Sequence, residues 1–307
     1  MHALLIHGGA GRIRGDRCDD YRSGLAAALD AGWAVLDAGG TALDAAVAAV
    51  RSMEDDRRAF NAGSGSALTS EGTVECDAAV MTGDGRAGAV ACVRTSRNPV
   101  TLARRVLEAT PHVLMVGPGA EALEPAPIDP SELITARSRA AWERWRARRA
   151  APEGSATCGA LALDGQGRLA AATSTGGVLG QRPGRVGDAP IPGAGTWADA
   201  RVAISCTGRG EAFLRVAAAH RLASALGGGT APEEALHDLL EAVNAAGGEG
   251  GVIALLADGT VAYAFDTEQM AWGYRRADDG RVEEAYEVGQ AGALRVVRAT
   301  SPAGDAA

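Results

Sequence analysis

The sequence predicts an α+β protein in which antiparallel sheets are sandwiched between layers of helices. Three observations carry this. Strand pairs are followed by helix pairs in both halves of the chain, so the elements do not alternate as a parallel βαβ sheet requires. The turn signals Gly83-Asp84-Gly85, Asp164-Gly165 and Asp258-Gly259 each separate two short apolar runs, the pattern of a hairpin. Between them, apolar residues recur at helical spacing.

In chain order, Ala3 to His7 reads as a buried strand and Tyr21 to Leu36 as a helix. Thr41 with Asp44 three residues on forms a capping box that opens a second helix through about Met53. Val74, Cys76, Ala78 and Val80 alternate with mostly polar neighbours, and Ala87 to Val93 follows as the second arm of a hairpin. A helix from Val100 to Glu108 and a short strand from His112 to Val116 come next, followed by a proline-rich loop from Pro118 to Pro130. Ser131 to Arg149 reads as the longest helix, with Ile134, Trp142 and Trp145 on one face and arginines elsewhere. After the small-residue stretch Ala150 to Ala156, the last two hairpins bracket amphipathic helices at about Glu211 to Leu226 and Pro232 to Val243.

Composition narrows the chemistry. The 30 cationic residues are all arginine, and the chain of 307 residues contains no lysine. That removes Walker A phosphate loops, pyridoxal enzymes and Schiff-base aldolases, each of which needs a lysine amine. A net charge of −8 disfavours nucleic acid as partner, and the basic face of the 131–149 segment reads as solvated. No apolar run reaches membrane-spanning length, and the apolar start is too short for a signal peptide. Five cysteines without a C-x-x-C pair fit a reducing compartment, so a cytoplasmic location is expected. There is no G-x-S-x-G elbow and no H-E-x-x-H, and the five histidines lack metal-ligand spacing.

Three segments remain. In the hairpin turning near Gln166, Thr157 faces Thr175 within one residue, and facing residues lie ~5 Å apart, close enough for two hydroxyls to interact. A structural Thr pair in a β-rich region reads the same way. The Gly- and Pro-rich loop Gly184 to Gly195 holds Arg185 and Asp188, able to grip a carboxylate and an ammonium, or simply each other. Ile204 to Glu211 is a strand running into a helix, where Thr207 and Gly208 either form an oxyanion hole or merely cap the turn.

In order and spacing these segments resemble the plant-type L-asparaginases and isoaspartyl peptidases, N-terminal-nucleophile hydrolases with a four-layer αββα fold. The resemblance also covers His7-Gly8-Gly9-Ala10-Gly11, Gly40 to Ala45, Phe60 to Ser66 with Glu75 to Ala78, Asn98-Pro99-Val100 and Thr110 to Val113. It implies a single domain, 1–307, that cuts itself between Ala156 and Thr157 into fragments of 156 and 151 residues. The freed α-amine then serves as base for the Thr157 hydroxyl. Thr207 and Gly208 would stabilise the oxyanion and Thr175 would orient Thr157. Arg185 and Asp188 would hold the substrate's α-carboxylate and α-amine, with Val186, Gly187, Arg209 and Gly210 lining the same site. Asn61, His7, Gly8 and Gly9 would support the cleavage geometry.

The implied activity is hydrolysis of β-aspartyl peptides and L-asparagine without a catalytic cofactor, by a dimer of cleaved αβ units. In relatives, carbonyls at the positions of Glu54, Phe60, Ala62 and Ser64 hold a structural sodium ion. Three departures stand out. Cys158 replaces the usual Val, Ala156 replaces the usual Gly, and the segment between Met53 and Phe60 is one residue longer than the family pattern and lacks its Pro. The alternatives are a glycosylasparaginase-like amidase, which the cytoplasmic reading and the early His-Gly-Gly disfavour, and an uncleaved relative that binds amino acids without turnover.

Overall fold

Residues of a strand point alternately to its two faces, so a strand buried on both must feed two cores. The first strand, β1 (His2–Gly11), does this: Leu4 and Ile6 enter one apolar cluster while Ala3 and Leu5 enter another. A computed structural model describes residues 1–148, 157–278, 281–290 and 292–298. After β1 come α1 (Cys18–Asp37), α2 (Ala42–Asp55), β2 (Cys76–Thr82), β3 (Ala87–Val93), α3 (Pro99–Ala109), β4 (Leu114–Val116), α4 (Gly117–Glu121) and α5 (Ala136–Arg148). Then follow β5 (Cys158–Leu163), β6 (Leu169–Thr175), β7 (Thr196–Ala198), β8 (Val202–Gly208), α6 (Gly210–Val216), α7 (Ala218–Gly227) and α8 (Pro232–Ala245). The last strands are β9 (Gly250–Leu256), β10 (Val261–Phe265), β11 (Gln269–Asp278), β12 (Arg281–Gln290) and β13 (Leu294–Val297).

Among the described residues these strands form an eight-stranded sheet, ordered β12-β11-β1-β5-β6-β2-β3-β4, and a five-stranded sheet, ordered β13-β10-β9-β8-β7. Three apolar clusters separate four layers. One joins α1, α2 and α3 to the outer face of the large sheet through residues such as Leu25, Val50, Val106 and Ala160. The second lies between the sheets and contains Leu5, Leu161, Ile253, Leu255 and Tyr263. The third joins the small sheet to α7 and α8 through Ile204, Val252, Leu222 and Leu239. This is the αββα sandwich the sequence predicts. Alanines such as Ala160, Ala162, Ala170 and Ala172 are fully or nearly fully buried on the outer face of the large sheet, which lets the helical layer pack close where aromatic residues are few.

The structure corrects three element readings. Among the described residues all strand pairs are antiparallel except β3 with β4, which run parallel at the sheet edge. Among the described residues the 131–149 segment is not the longest helix; that is α1, with 20 residues. Asp129 caps the Ser131 N–H and makes a 3-10 turn over Pro130–Leu133, so Ile134 precedes the helix. Thr135 and Ser138 then cap a fresh start through reciprocal N–H to Oγ bonds. Arg149 and the Ala150–Ala156 stretch lie outside the described residues.

The helix read over Glu211 to Leu226 is broken at Ala217, which takes a left-handed φ of 48°. The first N–H groups of α7, on Ala219 and His220, donate to the Ala194 and Gly193 carbonyls at 3.0 and 2.8 Å. The chain therefore bends so that α7 can dock on that loop. Strands β11 to β13 are additional to the elements predicted from the sequence. Tyr274 in β11 is largely buried, whereas β12 is mostly exposed and reads weakly by pattern.

Candidate active site

The β5–β6 register pairs Cys158 with Ser174, so Thr157, one residue ahead, stands opposite Thr175. Thr157 Oγ1 donates to Thr175 Oγ1 at 3.3 Å, and Thr175 also accepts the Gly177 N–H at 3.1 Å. The end of β8, in the other sheet, brings up Thr207. Its Oγ1 accepts the N–H of Thr157 at 3.3 Å and that of Ala10 at 3.2 Å. With both lone pairs engaged, the Thr207 O–H remains available as a donor. All three threonines are buried.

Ala10 reaches Thr207 because β1 carries an irregularity between His7 and Gly9 where it pairs with β11. Gly9 there has a φ of 109°, open to glycine but not to most residues. Gly8 leaves room for the Phe60 ring. Gly208 has a φ of 147°, and a Cβ on it would meet the backbone of Glu249 and Gly250 and, at 2.8 Å, the Phe213 ring. Only glycine fits beside Thr207.

Beneath the threonines runs a buried polar chain between the two sheets. His7 Nε2 is 2.9 Å from Ser205 Oγ, Ser205 is 2.8 Å from Thr173 Oγ1, and Thr196 Oγ1 is 2.6 Å from Thr173 and 2.9 Å from the Ala189 carbonyl. Burial lowers the His7 pKa to about 3, so the ring is neutral and acts as a fixed strut. Gly159 makes room for it, since a Cβ there would collide with Ser205 Oγ and His7 Nε2. Asn61 ties the end of β6 down: its Nδ2 donates to the Gly177 carbonyl at 2.8 Å and its carbonyl accepts the Gly176 N–H at 2.8 Å. Its Oδ1 accepts the Ala67 N–H at 2.6 Å.

The loop after β6 brings Arg185 and Asp188 together over Gly210, where a Cβ would lie 2.8 Å from both Arg185 Nη2 and Asp188 Oδ1. Arg185 forks onto Glu211, Nε to Oε1 at 3.0 Å and Nη2 to Oε2 at 3.1 Å. Asp188 is buried, and among the described residues its Oδ2 has no hydrogen-bond partner. Burial raises its pKa to about 6 against the pull of backbone N–H groups and Arg185. Gly187 is buried and Val186 half-buried between the two charges. Asp77, opposite Thr175 in β2, lies beneath the same loop; burial pushes its carboxyl up to about 7, and the Cys92 N–H caps it at 2.8 Å.

Arg209 brings no side chain to this cluster; it is exposed and its Nη1 donates to the Gly247 carbonyl at 3.2 Å. Ala156 lies outside the described residues. Of the positions read as sodium ligands, Phe60 offers its carbonyl to Arg137 at 2.7 Å and Glu54 its carbonyl to the Ser64 N–H at 2.8 Å, with Ala62 on the same loop.

Sequence reasoning missed Glu211, Asp77, Thr173, Thr196 and Ser205. A signal existed for two of them. Thr173 and Ser205 stand two residues before Thr175 and Thr207 on their strands, so each shares the face of its catalytic candidate.

The family model described as asparaginase matches residues 1–283. The chain is 42% identical over 297 residues to the isoaspartyl peptidase of Escherichia coli (strain K12), covering 88% of this chain and 92% of that protein. It is 40% identical over 280 residues to the isoaspartyl peptidase/L-asparaginase of Xenopus laevis, covering 88% and 90%. With the Bos taurus protein of the same name it shares 38% over 299 residues, 93% and 96% of the two chains. A sandwich of this topology and matches of this length together place the chain in the asparaginase family.

Proposed function

We propose that the chain hydrolyses β-aspartyl peptides and L-asparagine, and that it matures by cutting itself before Thr157. The observation that carries the reading is the buried trio in which Thr157 Oγ1 reaches Thr175 and the Thr157 N–H reaches Thr207, each at 3.3 Å, beside the Asp188 and Arg185 loop. The substrate class is supported by the names of the relatives.

In maturation, Thr157 Oγ adds to the Ala156 carbonyl carbon, its proton passes to the departing nitrogen and the C–N bond breaks, leaving an ester and a free α-amine on Thr157. Water hydrolyses the ester to the Ala156 carboxylate and the Thr157 hydroxyl. In turnover, that amine takes the Oγ proton while Oγ attacks the side-chain amide carbon of the substrate. The oxyanion forms against the Thr207 O–H and the Gly208 N–H. The amide nitrogen leaves, with the proton, as ammonia or the amine of a shortened peptide, and water releases aspartate. Thr175 holds Oγ on its attack line, and the neutral His7 chain keeps the two sheets in register beneath.

Asp188 Oδ2 faces the substrate ammonium. The Arg185 guanidinium, which Glu211 holds flat, donates its remaining N–H groups to the α-carboxylate. The reading includes a cytoplasmic dimer of cleaved αβ units; among the described residues no helix is long and apolar enough to cross a membrane.

The test is intact mass and N-terminal sequencing of purified protein, with ammonia release from Asn and aspartate release from β-aspartyl-leucine. A new N-terminus at Thr157 and turnover of either substrate are expected, and Thr157→Ala should abolish both. A fully intact chain that turns over at full rate defeats the reading. An intact chain that binds aspartate without turnover selects the amino-acid-binding alternative.

A further inference from the structure

A structural sodium ion on the 54–64 loop needs several carbonyl oxygens converging with free lone pairs, since such a cation takes its ligands from oxygen. Here arginines already sit on the Phe60 carbonyl, one of those positions, and on the neighbouring carbonyls of residues 58, 59 and 65. Arg137 Nη2, from α5, donates to the Phe60 carbonyl at 2.7 Å and to the Gly65 carbonyl at 3.1 Å. Arg17 Nη2, at the start of α1, donates to the Arg58 carbonyl at 2.9 Å and to the Ala59 carbonyl at 2.5 Å. The Glu54 carbonyl accepts the Ser64 N–H at 2.8 Å, which leaves it one lone pair. A metal ion beside Phe60 would face two fixed positive charges, so the residues present do not fit one.

The loop is shaped for its guanidinium groups. Gly65 has a φ of 86°, and a Cβ on it would lie 2.6 Å from Arg137 Nη2, so only glycine lets that arginine approach. Asp56 and Asp20 offset the mutual repulsion of Arg17 and Arg137, and Tyr21 stacks edge-on against Phe60 at 5.4 Å. Asp56 also folds the inserted stretch back, accepting the Arg58 and Ala59 N–H groups at 2.6 and 3.1 Å. The extra residue before Phe60 lies in this stretch, and there the Arg58 and Ala59 carbonyls meet Arg17.

We propose that Arg137, assisted by Arg17, replaces the structural metal ion of this loop, and so is a positioning residue for the site. The loop runs from Phe60 directly into Asn61, whose amide and carbonyl clamp Gly176 and Gly177 just beyond Thr175. Two guanidinium charges on helices do what a bound cation does elsewhere: they neutralise converging carbonyl dipoles and hold the strand end that orients the nucleophile. The metal independence stands apart from the substrate reading, whereas the effect on turnover rests on it.

The test compares the thermal midpoint of the purified protein in equal concentrations of sodium, potassium and choline chloride, a measurement that needs no substrate. Equal midpoints, within about 1 °C, are expected, because a ligand that binds the native state raises the midpoint with its concentration. Arg137→Ala should lower the midpoint and cut kcat with little change in KM. Millimolar guanidinium, supplied as its chloride, should restore part of both, while choline does not, and Arg137→Lys should retain more kcat than the alanine variant. A wild-type midpoint that climbs by several degrees when sodium replaces choline overturns the proposal. So does an Arg137→Ala protein that matches wild type, or one whose losses guanidinium leaves unrepaired. If the variants fail to fold, the wild-type cation comparison decides.

Discussion

Gly210 is the position at which the substrate clamp can be disturbed without touching a charged group or the threonines. A Cβ there would lie 2.8 Å from Arg185 Nη2, 2.8 Å from Asp188 Oδ1 and 3.2 Å from the Asp188 backbone nitrogen. Ordinary contacts of a methyl group begin near 3.4 Å, so Gly210→Ala must push both side chains away by about 0.6 Å. That displacement is enough to spoil a charge-assisted hydrogen bond, worth about 1.5–3 kcal/mol, or roughly a 10- to 150-fold rise in KM. The fold should tolerate the change, because Gly210 opens α6 and alanine is the better helix former. The assay is steady-state ammonia release from Asn, with a melting curve and intact mass on the same sample. KM should rise by the stated factor, with kcat, self-cleavage and the melting midpoint nearly unchanged. An unchanged KM would show that Arg185 and Asp188 do not hold the substrate, and a collapsed midpoint would show that Gly210 matters for folding instead.

Three further outcomes are expected. Asp188 binds an ammonium only as a carboxylate, and burial places its pKa near 6; the Kd of L-aspartate, followed by calorimetry, should therefore weaken about tenfold per pH unit below about 6 and level off above it. Thr207→Val keeps the shape of the side chain but removes both the acceptor of two N–H groups and the oxyanion donor, so kcat should fall about 10²- to 10³-fold while aspartate binding changes little. Ala217→Gly removes left-handed strain between α6 and α7; calorimetric melting should show a gain of about 0.5–1 kcal/mol, or roughly 1–3 °C.

Much of the site was legible because it is local. The Thr157 and Thr175 pairing follows from one hairpin whose Asp164-Gly165 turn sets the register, and the Cys158–Ser174 pair bears that register out. One element boundary failed where a tertiary contact overrode local preference. Ala217 has no turn signal and breaks its helix because α7 reaches for the carbonyls of Gly193 and Ala194. The helix read from Ser131 fails for the opposite reason: local caps at Asp129 and Thr135 divide a segment whose composition favours one continuous helix.

By itself, then, the sequence determined the layered fold, the excluded chemistries and the short motifs, since hydrophobic period, turn residues and side-chain type act over a few positions. The tertiary structure alone decided which distant groups meet. It set Ser205 against His7 across 198 residues, and Glu211 on Arg185. It also put Arg137 on the Phe60 carbonyl 77 positions away. These partners carry no mutual spacing in the chain, because packing one layer against another brings them together after the local rules have been spent.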